Sequence, residues 1–124
     1  MSEFKFFKRD EFACKCGCGT NRISDEIIMV CDSLRGECGF PFVISSGYRC
    51  EDHPIEAVKS KPGAHQGGMA ADIACSGDRA QTLIRHALNY GITRIGINQK
   101  GSHSSRFVHI DVDDSRVSPA IWTY

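Results

Sequence analysis

The chain has 124 residues, and its 15 Lys and Arg balance 15 Asp and Glu, so its formal net charge is zero. That length suits one domain with a modest core, and the lack of a field of one sign or a clustered basic run argues against nucleic acid or a membrane surface as partner. Apolar runs are only a few residues long, too short to span a bilayer. Met1-Ser2-Glu3-Phe4-Lys5 lacks the basic-then-apolar order of a secretory signal, so a chain made in the cytoplasm is expected.

The first dozen residues carry Phe4, Phe6, Phe7 and Phe12 and are expected to pack as an arm over the body. Cys14, Cys16 and Cys18 follow in a Gly-rich loop, three of seven cysteines in the chain. Without a secretory signal, reduced thiols or metal ligation are expected ahead of a disulfide framework. Cys-x-Cys is not the usual Cys-x-x-Cys knuckle, which favours partly buried free thiols. A second, structural zinc, shared with Cys50 and His53 after the Arg49 loop, is the alternative.

Ser24 is a good N-cap, Asp25 and Glu26 suit the first turn, and Gly39 supplies the stop. Between them Ile27, Cys31, Leu34 and Cys38 recur at helical spacing. Pro41 to Ser45 reads as a short strand that delivers Ser46 to Arg49 at its end. Cys50 to Gly68 reads as a long functional loop with one helical turn near Ile55 to Val58. Met69 to Cys75 is the next strand. Asp78 is expected to cap a second helix whose apolar face is Ala80, Leu83, Ile84, Ala87 and Leu88, ended by Gly91. Arg94 to Asn98 and Arg106 to Val112 are strands on either side of a polar loop, and the tail closes with Trp122 over one end of the core. Helices and strands do not alternate strictly, so an α+β fold is expected, with a small antiparallel sheet and helices packed mainly on one face.

The chemistry lies in two stretches. In Gly63 to Ile73, His65 and Asp72 stand seven positions apart with a glycine pair between them, so the backbone can turn and set one against the other. In Phe107 to Val112, alternation places His109 and Asp111 on one face of a strand. Two imidazoles and a carboxylate make three protein ligands, the number expected of a catalytic zinc site with a fourth position for water. A strand-capping Asp and two solvent histidines are the bland alternative.

Three segments together, Ser45-Ser46-Gly47-Tyr48-Arg49, His65-x-x-Gly68-x-x-Ala71-Asp72-Ile73 and Phe107-Val108-His109-Ile110-Asp111, resemble the zinc D-Ala-D-Ala carboxypeptidases and peptidoglycan endopeptidases. That superfamily includes phage endolysins and shares its fold with the Hedgehog signalling domain. The likeness runs from about Phe7 to Trp122, and Phe7-Lys8-Arg9-Asp10-Glu11-Phe12-x-Cys14 is similar to the opening of its small members. It implies a Hedgehog/DD-peptidase-like fold, a single catalytic domain over 1–124, and Zn²⁺ at His65, Asp72 and His109. It also implies an Arg49 that faces a peptidoglycan stem peptide, with Ser46 beside it. A monomer is expected, acting at the cell wall after release or as part of a virion.

Many relatives carry an acid a few residues before the last zinc histidine. Here those positions are His103, Ser104, Ser105 and Arg106. Asp111 is the leading substitute as general base and His103 the runner-up, while Asp111 is equally suited to orienting a ligand. Asp113 and Asp114 read as solvated turn residues. The resemblance implies a peptidase of stem-peptide amide bonds, of either carboxypeptidase or endopeptidase type. The alternative is a non-catalytic zinc-binding module, a phage structural or peptidoglycan-binding part; Hedgehog shows that this fold can keep its metal and serve binding instead.

Overall fold

The computed structural model describes residues 4–57 and 63–124. Val58, at the end of the expected helical turn, lies outside them. Phe12 is fully buried and Phe7 nearly so, stacked edge to face, whereas Phe6 is exposed, so only part of the aromatic arm reaches the core. Helix α1 (Asp25–Cys38) starts where Ser24 Oγ accepts from the Ile27 amide at 3.3 Å. It stops at Gly39, whose left-handed φ of 77° closes the last turn. Its buried stripe is Ile27, Ile28, Val30, Cys31 and Leu34.

Strand β1 (Val43–Ser46) leads to a short helix α2 (Pro54–Ala57) and then β2 (Ala70–Ala74). Helix α3 (Gly77–Tyr90) follows, then β3 (Arg94–Asn98), β4 (Phe107–Asp111) and β5 (Ala120–Thr123). In α3 the cap position falls to Ser76 and Asp78 sits inside the first turn. Leu88 is exposed, because the stripe that meets the core is Ala80, Leu83 and Ala87.

The strands form one sheet in the order β1-β2-β4-β3-β5, antiparallel except for β3 beside β5. The architecture is α+β, as the sequence predicts. Alternation divides the sheet's faces. Ala71, Ile73, Ile95, Val108 and Ile110 join the core with Ile27, Leu34 and Leu83, each large apolar side chain worth roughly 1.5–3 kcal/mol on burial. Asp72, His109, Asp111 and Arg94 belong to the opposite set and line a cavity.

Strand β5 is the main departure from the sequence reading. Trp122 does not cover an end of the core; it lies in the edge strand, its ring 5.2 Å from that of His109. Asp113 also departs from expectation, being buried and accepting from Ser115 and Arg116 rather than facing solvent.

Candidate metal centre

One cross-strand row builds most of the site. Ser46 pairs with Asp72, Asp72 with His109, His109 with Gly96, and Gly96 with Trp122. Gly96 has to be glycine for Trp122 to close over the row, since a Cβ there would lie 2.6 Å from the indole Nε1.

His65 reaches the row from the loop before β2. That loop turns back on itself through amide bonds from Gly67 to the Gly63 carbonyl, Gly68 to that of His65, and Met69 to that of Ala64. Gly68 makes the turn possible: its φ is +74°, and an added Cβ would stand 2.2 Å from the Arg22 carbonyl oxygen.

The hydrogen-bond partners assign the two imidazoles. His65 Nδ1 lies 2.8 Å from the Gly47 carbonyl, which can only accept, so Nδ1 carries a proton and Nε2 offers its lone pair. His109 Nε2 lies 2.6 Å from Asp111 Oδ2, which leaves Nδ1 turned to the other ligands. His109 Nδ1 is 2.9 Å from Asp72 Oδ1 and 3.1 Å from His65 Nε2, and His65 Nε2 is 3.2 Å from Asp72 Oδ1. A tetrahedral zinc with ligands at about 2.0–2.1 Å separates them by about 3.3 Å, so the donor set fits the ion in both chemistry and size.

All three residues are nearly sealed from solvent, at 5, 4 and 4% exposure. Burial works to raise the Asp72 carboxyl, but in the metal-free site the close approach of the His109 and His65 rings, which favours its charged form, outweighs burial and holds the group well below its ordinary value. Burial alone would lower His109, yet its bonds to Asp111 and Asp72 push it upward. Asp111 is lowered against the pull of burial by His109 and Arg94.

Asp111 is held from two sides. Besides His109 on Oδ2, its Oδ1 accepts from Arg94 Nε at 2.7 Å and from the Asp113 amide at 3.2 Å. Arg49 also sits in the site: Nε donates to Ser46 Oγ at 2.9 Å and Nη2 to Asp72 Oδ2 at 3.4 Å. Its amide donates to the His65 carbonyl, which fastens this loop to the histidine loop. His103 is not brought to the site. It lies in an exposed 3-10 turn (His103–Ser105), with its Nδ1 3.5 Å from Ser76 Oγ, while its neighbours Ser104 and Ser105 line the cavity. His53 lines the cavity as well.

The cavity measures about 740 Å³, with His65, Asp72 and His109 among its walls. Lys15, Arg49, Arg94, Arg106 and Arg116 line it against two carboxylates, Asp72 and Asp111, among the described residues. Sequence reasoning missed Arg94, Trp122 and Tyr124. Arg94 opens a strand that the sequence does reveal, but its place opposite Asp111 depends on register. For Trp122 and Tyr124 the available signal was the run of β-branched and aromatic residues Ile121-Trp122-Thr123-Tyr124, which favours a strand.

Two buried imidazoles and a carboxylate, each with its far side pinned, in the wall of an open cationic cavity, define a metallohydrolase-type centre. The chain belongs to the peptidase M15 family, the D-Ala-D-Ala carboxypeptidase and endolysin-like zinc peptidases, whose family model matches residues 5–111. Membership implies the Hedgehog/DD-peptidase fold and a peptide substrate. No curated protein matches the chain. Among the described residues, no helix is long and apolar enough to cross a membrane.

Proposed function

We propose that the protein is a zinc peptidase that hydrolyses amide bonds of peptidoglycan stem peptides. The observation that carries the reading is the convergence of His65 Nε2, Asp72 Oδ1 and His109 Nδ1 in a cavity where Lys and Arg outnumber carboxylates among the described residues. Bound by those atoms, zinc would supply Lewis-acid polarisation of the scissile carbonyl and an acidified water.

The chain's own residues do the rest. The Gly47 carbonyl and the Asp111 carboxylate fix the tautomers, so that each imidazole presents a lone pair inward. Asp111 acts as the residue that orients His109, since its oxygens are taken by His109, Arg94 and a backbone amide. Arg49, steadied by Ser46, holds a carboxylate of the peptide in a charge-assisted pair. Stem peptides carry such carboxylates at acidic side chains and D-Ala termini, and the remaining cavity cations favour them. Trp122 and Tyr124 form the apolar wall against which the peptide backbone lies.

A non-catalytic zinc-binding module is the second reading. One observation favours it: both carboxylates lining the cavity, among the described residues, are already engaged. Digestion of purified peptidoglycan by the zinc-loaded protein, with mass analysis of the fragments, separates the two. Release of stem-peptide fragments that is lost in a His65→Ala/His109→Ala variant supports the peptidase. Zinc binding with no fragments from any peptidoglycan type would overturn it.

A further inference from the structure

We propose that Cys14, Cys16, Cys18 and Cys50 hold a second zinc ion, a structural one, which clamps the N-terminal arm to the loop that carries Arg49. The four sulfurs lie within 4.8 Å of one another. Sγ of Cys14 is 3.4 Å from that of Cys16 and 3.7 Å from that of Cys50, and Cys16 and Cys50 are 3.4 Å apart. A tetrahedral zinc with Zn–S bonds of about 2.3 Å sets its sulfurs about 3.8 Å from each other. A disulfide needs about 2.05 Å. The spacing is that of ligands around one ion, and the set is complete: four thiolates, with no position left for water, make a structural rather than a catalytic site.

Two further contacts suit thiolates. The Cys50 amide points at Cys14 Sγ at 3.4 Å, and the Thr20 amide at Cys18 Sγ at the same distance. Backbone N–H groups aimed at sulfur spread the negative charge that metal-bound thiolates keep, as outer partners commonly do. Cys14 and Cys50 are buried while Cys16 and Cys18 are exposed, so the ion would have two ligands anchored in the core and a route in from solvent. On binding, each thiol gives its proton to solvent and no redox change is involved.

The cluster joins places far apart in the chain. Cys14 follows the Phe12 anchor, and Cys50 directly follows Arg49. The same two segments already meet where the Tyr48 amide donates to the Phe12 carbonyl at 2.8 Å. An ion beside that bond would hold the Gly47–Arg49 turn in place, and with it the carbonyl that orients His65 and the guanidinium on Asp72.

The test is metal analysis of the full chain purified with zinc under reducing conditions. Wild type should hold two zinc ions, and X-ray absorption at the zinc edge should show a sulfur shell at about 2.3 Å beside a nitrogen and oxygen shell. Cys16→Ser/Cys18→Ser should lose one equivalent, and His65→Ala/His109→Ala should keep one. The cobalt(II) form of that histidine variant should show sulfur-to-cobalt charge-transfer absorption in the near ultraviolet. The sulfur shell and the cobalt charge-transfer band concern sulfur ligation alone, so a failure of the peptidase reading leaves them intact. A wild-type edge spectrum without sulfur would overturn the proposal and needs no variant to fold. So would iron in place of zinc, or an unreduced intact mass lighter by two hydrogens for a Cys pair.

Discussion

Replacing Asp111 by Asn keeps the shape of the side chain and removes the charge that holds His109. Arg94 Nε and the Asp113 amide can only donate, so the Asn oxygen has to take the place of Oδ1. Its NH₂ group then occupies the place of Oδ2, 2.6 Å from His109 Nε2, and meets that nitrogen as a donor. A neutral imidazole satisfies it by moving its proton to Nδ1, the atom that faces Asp72 and His65. The metal-binding nitrogen becomes the protonated one.

The variant loses a charge-assisted hydrogen bond, worth roughly 1.5–3 kcal/mol. At about 1.4 kcal/mol per decade this corresponds to a zinc affinity roughly 10–100-fold weaker. Competition against a chromogenic chelator measures the affinity, and peptidoglycan digestion at rising zinc measures recovery. The expected result is weaker binding, with turnover restored at saturating zinc. A variant that holds zinc as tightly as wild type but turns over roughly 100–10,000-fold more slowly would refute the reasoning and make Asp111 the proton carrier.

Gly68→Ala combines a left-handed φ of +74° with a Cβ 2.2 Å from the Arg22 carbonyl oxygen. The conformation costs roughly 1–2 kcal/mol and the overlap roughly 1–3 more, so the melting temperature should fall by about 10 °C; an unchanged melting curve would show that the loop adapts freely. The metal-free protein should have an unusual pH profile. His109 is raised above its ordinary value of 6.5, so its contribution to stability is complete below that pH and is lost as pH rises through the folded value. Asp72 and Asp111 are lowered from 3.8, so theirs is present above that pH and lost as pH falls through their folded values. Thermal stability without metal should therefore peak between roughly pH 4 and 6.5 and decline on the alkaline side, while zinc affinity weakens on acidification as protons compete for Nδ1. Metal-free protein that becomes more stable from pH 6 to pH 8, in calorimetry with chelator present, would contradict the assignment.

What the sequence determined by itself is local. Ser24 and Gly39 bound α1 because capping and left-handed stops depend on a few adjacent residues. His109 and Asp111 share a face because a strand repeats every two residues, and Gly67 and Gly68 announce the turn that brings His65 back toward Asp72. Residue type and spacing brought His65, Asp72 and His109 forward as candidates, and the resemblance to the zinc peptidases chose them over a strand-capping Asp and two solvent histidines.

Tertiary structure decided whatever depends on register and on meetings between distant segments. Arg94 lies opposite Asp111, and Gly96 between His109 and Trp122, only because β3 pairs with β4 and β5 in one particular alignment. The short edge strand β5, half of it exposed, carries too weak a pattern to reveal its parallel partner. Whether Asp111 faces the reacting atoms or the back of an imidazole is a matter of 2.6 Å and one ring orientation, which alternation cannot specify. The cysteines show the same limit: three crowd together in sequence, but Cys50 joins them only because the chain folds the end of β1 against the N-terminal arm.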